Sequence, residues 1–341
     1  MDYMNSIEVH LPSGEVSPLD DVIAKNHYAL DVNLSYFREI VDGLIHIDST
    51  YKDFWFLLTR NVESLPDFSD EKRRKLIVVS LGDEWGRVPH YAEQVFAVFK
   101  CYGSDLKLSL HRADLILNLS ILIQFARSQS KRLKTSKVGG DNVFPLPLGF
   151  YRQVSLPTTP ILERSADVAF IGSLRNSERK SLLDSLGILR SPKTVSRSSM
   201  ASYALNWSKQ RSYTVDIGLT SRFLNAGQTS KGDDCSERLM DSKICLCPRG
   251  TSLETFRYFE ALRYGCVLIS EPVPDRWFYR DSPAIYINDW KTLPAVLDSL
   301  LGDKDRLVAL HQQALDWWQS KCAPAAVSAK MDSYLKSDSR P

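Results

Sequence analysis

The second half of this 341-residue chain alternates short apolar runs with amphipathic helical segments. Continuous runs of Val, Ile, Leu and Phe are typical of strands buried on both faces. Such strands, each followed by a helix, form parallel sheets through right-handed crossovers. The second half is therefore predicted to be a Rossmann-like α/β unit. Strands are predicted at 167–174, 211–219, 243–250, 266–270 and 284–289, and helices at 177–188, 252–265 and 303–322.

The first half carries weaker signals of the same kind. Residues 75–86 read as a β-branched strand that ends in a polar turn. A second α/β unit, over residues 1–150, is therefore predicted, in line with about two domains for a chain of this length. Further strands are predicted within 93–104, 113–122 and 142–150.

A proline-rich stretch separates the two halves. Residues 145–164 contain four prolines, which hold the backbone extended as in connections between domains. The later unit is predicted over 165–320, with a C-terminal helix within 321–341 that returns to the first unit. Two such units create a cleft lined by the carboxyl ends of strands and the amino ends of helices, where small-molecule sites lie.

Composition excludes several classes of function. The 43 Lys and Arg residues against 41 Asp and Glu leave a net charge of +2, too little for a protein that binds nucleic acid through its phosphates. The most apolar run, 115–126, falls short of the ~20 residues that span a membrane. Residues 1–16 lack the basic and apolar regions of a secretion signal, so we expect a cytoplasmic protein.

Neither cysteine nor aspartate spacing predicts a metal. The six cysteines show no C-x-x-C pair and need no disulfide framework in a chain of this size. The segment 303–305 (Asp-Lys-Asp) has a form that binds metal diphosphates elsewhere, but capping of the following helix explains it with fewer assumptions. No metal and no cofactor are therefore expected.

The stretch 241–270 is the most informative about chemistry. A strand ends at the Pro-Arg-Gly turn 248–250, and a helix is predicted to begin near Ser252. Thr251 or Ser252 can cap this helix, whose unpaired N–H groups and positive dipole end favour a phosphate. Gly250 allows the close backbone approach and unusual backbone angles that such a turn requires.

The predicted helix carries charged side chains at helical spacing. Glu254, Arg257 and Glu260 follow one another at intervals of three and can share a face. An arginine there suits a bidentate clamp on a diphosphate, and a glutamate one turn on suits the two vicinal hydroxyls of a ribose. The alternative is a solvent-facing ladder of ion pairs. The Pro-Arg-Gly turn at the strand end favours the binding site.

The segment 241–270 resembles the signature of the exostosin-like glycosyltransferases. In that family a strand ending in P-x-G precedes a helix with an arginine and a Glu-Ala pair, and Gly-Cys opens the next strand. Residues 167–183 are similar to the family's apolar strand, glycine turn and arginine-bearing helix. The matching positions are Pro248, Gly250, Arg257, Glu260, Ala261, Gly265 and Cys266, with Phe170, Gly172 and Arg179 upstream.

This resemblance implies the GT-B architecture, in which two Rossmann-like domains face each other across a cleft. The C-terminal domain is then expected to hold a nucleoside-diphosphate sugar, UDP by default, and the N-terminal domain a glycan or glycolipid acceptor. The implied contacts are the diphosphate for Arg257, the ribose for Glu260, and the donor sugar and phosphates for 250–254. Members of the family invert the anomeric centre and generally bind no metal in this kind of domain.

Such a reaction needs further positive charge beside the diphosphate. The leaving group gains negative charge as the glycosidic bond breaks, so preorganised cations lower the barrier. Arg175 follows the Gly172 turn and lies beside the cleft of a Rossmann-like unit; a solvated loop charge is the alternative. The other candidates are Arg179 and Arg249.

Inversion also requires a base that accepts the proton of the acceptor hydroxyl. Asp83 and Glu84 stand at the polar end of the strand predicted in 75–86, and His90 follows shortly after. An acid at a strand end of the first domain would face the second domain across the cleft. Either acid could instead cap a helix.

Two segments are interpreted as loops. Residues 127–137 contain five cations and no acid, which suits an anionic acceptor or peripheral contact with the inner face of a membrane, or else a solvated loop. The serine-rich segment 190–202 is predicted to be a mobile loop near the nucleotide. Trp207 beside it either stacks on the base or packs in the core.

The sequence therefore predicts an inverting glycosyltransferase that moves a sugar from a nucleoside diphosphate to an acceptor hydroxyl during polysaccharide or glycan synthesis. A GT-B-like epimerase or hydrolase of sugar nucleotides stays open as an alternative enzyme. A non-catalytic subunit that binds a nucleotide sugar or a glycan is the alternative outside enzymes.

Overall fold

The structure, a computed structural model, consists of two α/β units. Each unit is built on a mostly parallel sheet, which is the paired Rossmann-like arrangement of the GT-B architecture. The residues that it describes are 7–26, 29–84, 87–103, 115, 119, 122, 142–151, 157–173, 192–220, 230–250 and 252–337.

The first sheet runs in the order β2-β1-β3-β4-β5-β6, and its neighbouring strands are parallel except for β1 with β2. Its central strand β4 is buried at every position, as its Val- and Ile-rich sequence predicts. The elements of this unit are β1 (Ile7–His10), β2 (Val16–Pro18), α1 (Leu19–Lys25), α2 (Leu34–Ile47), β3 (Trp55–Thr59), α3 (Asp70–Arg74), β4 (Leu76–Ser80), β5 (Ala97–Lys100) and β6 (Val143–Pro145).

The second sheet is parallel throughout and runs in the order β11-β10-β9-β7-β8. Each strand predicted in this half overlaps an observed one, so the parallel α/β prediction is confirmed. The elements are β7 (Ala166–Ser173), α4 (Pro192–Ser208), β8 (Val215–Thr220), α5 (Ser230–Met240), β9 (Ser242–Cys247), α6 (Phe256–Arg263), β10 (Val267–Ser270), β11 (Ile285–Tyr286), α7 (Leu293–Leu301), α8 (Lys304–Trp317) and α9 (Pro324–Lys336).

Two local predictions are wrong. The segment 113–122 is not a strand at its described positions: Leu115, Leu119 and Leu122 are helical and exposed, at intervals that place them on one helix face. The serine-rich segment 190–202 is not a loop where it is described, because α4 begins at Pro192 and runs through the rest of the segment. Proline suits the first turn of a helix, where its missing N–H has no partner to lose.

The two units are joined by packing as well as by the chain. The last helix, α9, lies against α2, and the Ser328 hydroxyl donates to the Ile40 carbonyl at 2.7 Å. The Tyr36 hydroxyl of α2 donates to the Cys322 carbonyl, also at 2.7 Å. A single apolar cluster runs through both contacts and includes residues of both sheets. The orientation of one unit on the other is therefore set by a shared core.

Candidate functional site

The strand order of the second sheet marks where a ligand fits. Strand β8 lies on one side of β7 and β9 on the other, so the order of the strands reverses at this point. In open α/β sheets the crevice at such a reversal, at the carboxyl ends of the strands, is the usual ligand site. Here it is bounded by Ser173, the last residue of β7, and by the turn 248–250 after β9.

Arg257 and Glu260 lie together at this crevice. Arg257, in the first turn of α6, donates Nη2 to the carbonyl of Ile171 at 2.6 Å and pairs Nη1 with Glu260 at 3.0 Å. The other oxygen of Glu260 accepts the amide N–H of Tyr151 at 3.2 Å. Arg257 and Glu260 thus share a face of α6 and form an ion pair, and both side chains are mostly buried rather than solvent-facing.

The helix begins later than predicted, which changes two assignments. Its first residue is Phe256 and its N-cap is Thr255, which makes no capping bond with its side chain. Ser252 is therefore not the cap; its hydroxyl is buried and has no hydrogen-bond partner among the described residues. Gly250 does not have a positive φ, so it provides room beside Thr255 and not an unusual backbone angle.

Glu254 does not share the helix face of Arg257. It is 3% exposed and points to the first unit, where its carboxylate accepts the amide N–H of Gly103. Its other oxygen accepts the Tyr279 hydroxyl at 3.0 Å. Burial raises the pKa of Glu254 to about 7, although both hydrogen bonds act in the opposite direction. A buried carboxyl group with a raised pKa thus lies where the two units meet.

Arg249 has a supporting place in the structure. It is 2% exposed, and its Nε binds the carboxylate of Glu271, the residue that follows β10. Glu271 also accepts hydrogen bonds from the Trp290 indole at 2.9 Å and from the Ser196 hydroxyl. This carboxylate therefore fixes Arg249 to helix α4 and to the end of β10.

Two cations that sequence reasoning missed lie on α4. Lys193 donates to the Ser173 hydroxyl at 2.9 Å, and Arg197 donates to the Ser173 carbonyl and, at 3.2 Å, to the Arg249 carbonyl. Both are at least nine-tenths buried. The four-residue spacing of Lys193 and Arg197 could have indicated a shared helix face. It was overlooked because it lies in a serine-rich segment that was interpreted as a loop.

Gly172 makes room for this arrangement. A Cβ at this position would lie 2.8 Å from the Phe170 ring and 3.3 Å from Nη1 of Arg197. The glycine therefore lets the guanidinium approach the end of β7. Three other predicted donor-site residues, Arg175, Arg179 and Thr251, lie outside the described residues, as does the basic run 127–137.

The three candidate bases of the first unit have different surroundings. Asp83 has φ +68° and accepts the Arg87 amide at 2.6 Å and the Arg87 Nε at 3.0 Å. His90 pairs with Glu63 at 3.2 Å. Glu84 acts electrostatically on Lys193 and Arg197, so it lies across the crevice from the two cations of α4. Glu84 is therefore within electrostatic reach of α4.

The remaining candidate residues have structural roles, in helix capping and in core packing. Asp303 caps α8 by accepting the Arg306 amide at 2.9 Å, as the simpler interpretation predicted. Trp207 is 4% exposed and stacks on Tyr213 with ring centroids 5.3 Å apart, so it packs in the core.

All six cysteines are free, and the described residues contain no group of three or more side chains that could hold a metal. In the same part of the chain no helix is both long and apolar enough to cross a membrane.

The chain is similar to known glycosyltransferases over part of its length. No protein-family model matches the sequence. The chain is 32% identical over 97 residues to exostosin-1a of Danio rerio, covering 26% of this chain and 13% of the relative. It is 24% identical over 201 residues to ribitol-5-phosphate xylosyltransferase 1 of Danio rerio, covering 54% of this chain and 42% of the relative.

Among solved structures, that of TarM superposes with a TM-score of 0.45 at 13% identity, covering 86% of this chain and 58% of the TarM chain. The chain spans less than half the length of the two curated relatives named above. Over the parts that align, the chain is a homologue of the exostosin and xylosyltransferase glycosyltransferases.

Proposed function

We propose that this protein is an inverting glycosyltransferase that moves a sugar from a nucleoside diphosphate, UDP by resemblance, to an acceptor hydroxyl. The observation that carries the proposal is the convergence of Arg257 and Glu260 on the crevice between β7 and β9, where α/β proteins bind nucleotides. The alignments with exostosin and xylosyltransferase sequences support the same class of reaction.

The donor is proposed to lie along the turn 248–250 and helix α6. Arg257 then binds a phosphate oxygen, and Glu260 accepts hydrogen bonds from the ribose hydroxyls. The buried Ser252 hydroxyl and Glu254 face the donor sugar, with Gly250 giving the backbone access. Arg249 supports the turn through Glu271, and Arg175 and Arg179 supply further charge.

Glu84 is the proposed base. The electrostatic effect of Glu84 on Lys193 and Arg197 supports this role, because it brings the carboxylate to the crevice where the donor is proposed to bind. The acceptor hydroxyl oxygen forms a bond to the anomeric carbon as Glu84 accepts its proton. The bond from that carbon to the diphosphate breaks, and its electron pair leaves with the diphosphate.

The acceptor is proposed to be a glycan or a glycolipid bound mainly by the first unit. The setting is proposed to be cytoplasmic polysaccharide or glycan synthesis, with a glycolipid acceptor bringing the protein to a membrane surface as a peripheral enzyme. A panel of acceptors of both kinds, tested with each donor that binds, distinguishes them.

Nucleotide binding tests the proposal directly. UDP at 100 times its Kd should stabilise the native protein by about 2.7 kcal/mol, seen as a rise in melting temperature. Arg257→Met should abolish that rise. Arg280→Met, which removes a 65% exposed arginine of the same unit, should preserve it. If no nucleoside diphosphate or sugar nucleotide stabilises the wild-type protein, the proposal fails.

A further inference from the structure

Helix α4 carries a cluster of buried positive charge that the proposed function leaves unexplained. Lys193 and Arg197 are four residues apart, so both side chains project from one helix face. That face meets the end of β7, where Lys193 binds the Ser173 hydroxyl and Arg197 the Ser173 carbonyl. The two cations therefore lie at the same crevice as Arg257.

We propose that Lys193 and Arg197, together with the Ser173 hydroxyl, form a phosphate-binding subsite that holds the diphosphate of the donor. The inference rests on the proposed function. It adds a set of ligand-binding residues on a different helix from α6. These residues would stabilise the leaving group as the electron pair of the broken glycosidic bond moves onto its phosphate oxygen.

Burial makes such a cluster of positive charge costly, and an anion bound at the crevice would lower that cost. Lys193 is 4% exposed and Arg197 9%, and the Nε of Arg197 donates to the carbonyl of a third cation, Arg249. Glu271 binds Arg249, and Glu260 binds Arg257. Glu84 acts electrostatically on Lys193 and Arg197. The positive charge gathered at this crevice favours an anionic ligand.

The lowered pKa values of Lys193 and Arg197 agree with this geometry. Burial and the charge of Arg197 lower the pKa of Lys193 to about 7, against the opposing effect of Glu84. Burial also lowers the pKa of Arg197 to about 10; Arg257 adds to this effect, while Cys247, Glu84 and Glu271 oppose it. This lowered pKa favours the neutral form of Lys193 when no ligand is bound.

An anion beside Lys193 would raise its pKa, because it favours the charged form. Above pH 7 the protein must then take up a proton when UDP binds. Linkage requires the affinity to fall as pH rises, by a limit of about tenfold per pH unit for one proton. The terminal phosphate of UDP titrates near pH 6, so measurements between pH 7.5 and 9 avoid its contribution.

Titration calorimetry with UDP tests the subsite. In wild type, Kd should increase several-fold from pH 7.5 to 9, and heats in buffers of different ionisation enthalpy should show uptake approaching one proton. Lys193→Arg should bind UDP with no such pH dependence. Lys193→Met and Arg197→Met should each weaken UDP binding at least tenfold while leaving uridine binding, which needs no phosphate contact, unchanged.

Lys209→Met is the matched control, because Lys209 is exposed just beyond the end of the same helix. It should behave as wild type at every pH. If UDP binds wild type and both methionine variants equally, or if the wild-type affinity does not change with pH, the subsite is overturned while the donor proposal stands. If UDP and other nucleoside diphosphates bind none of these proteins, the proposed function itself fails.

Discussion

Replacing Glu254 with glutamine should remove a pH dependence from the stability of the protein. The carboxyl group is buried between the Gly103 amide of the first unit and the Tyr279 hydroxyl of the second. A glutamine there can accept from Gly103 through its oxygen and donate to Tyr279 through its nitrogen. The variant therefore imitates the protonated glutamic acid and keeps both contacts.

The magnitude follows from the two states of the carboxyl group. The ordinary pKa of Glu254 is 4.5, and burial raises it to about 7 in the folded protein. Between these values the folded state binds more protons than the unfolded state, so stability falls as pH rises. The stabilising contribution is fully present below pH 4.5 and lost through pH 7, a change of about 3 kcal/mol.

Urea unfolding, followed by tryptophan fluorescence, measures this effect. The free energy of unfolding of Glu254→Gln, less that of wild type, should increase by about 3 kcal/mol from pH 4.5 to 7.5. Glu93→Gln, which alters an exposed glutamate of the first unit, should show a much smaller change. A difference between Glu254→Gln and wild type that stays constant over this range would refute the assignment of a buried, neutral carboxyl group.

Three further substitutions have distinct expected outcomes. Glu84→Gln should lower kcat in a sugar-transfer assay by about 10²–10⁴-fold without weakening UDP binding in calorimetry; an unchanged kcat would exclude Glu84 as base. Gly149→Ala should lower the free energy of urea unfolding by about 2–4 kcal/mol, because φ is +65° and a Cβ would lie 2.3 Å from the Tyr36 ring. Arg164→Met should cost about 3 kcal/mol or more in the same assay, because Arg164 is 2% exposed and binds three carbonyl oxygens; a loss below about 1 kcal/mol would contradict this.

The second sheet could be predicted because its strands carry their own signal. β9 and β10 are buried at nearly every position, so their sequences are continuous apolar runs. β1 is only alternately buried and four residues long, and β3 follows a helix without a clear boundary signal. Neither was predicted. Short strands become recognisable through their partners in the sheet, which one sequence does not display.

Helix α4 was missed for a different reason. Its fully buried positions include Ser196, Met200, Ala204 and Trp207, at intervals of three and four. Small and polar residues on the buried face, with further serines outside, give little contrast between the two sides of the helix. Lys193 and Arg197 extend that buried face towards the crevice. The helix that this composition concealed therefore also carries the two cations of the proposed subsite.

The start of α6 shows how contacts between the units overrode local preference. Ser252 and Glu254 are good residues for the beginning of a helix, and the sequence places one there. In the structure Glu254 instead accepts a hydrogen bond from the Gly103 amide of the other unit, and the helix begins only at Phe256. Local signals fail at a position whose side chain is used elsewhere.

Locating the crevice requires the order of the strands in the second sheet, more than their number. The sequence alone did not give that order. Once β8 and β9 are known to lie on opposite sides of β7, the crevice at Ser173 follows from topology alone. Any cation on the connection between β7 and β8 then becomes a candidate phosphate contact, and α4 is part of that connection. Strand order would therefore have placed Lys193 and Arg197 among the candidates, together with the other cations of this connection.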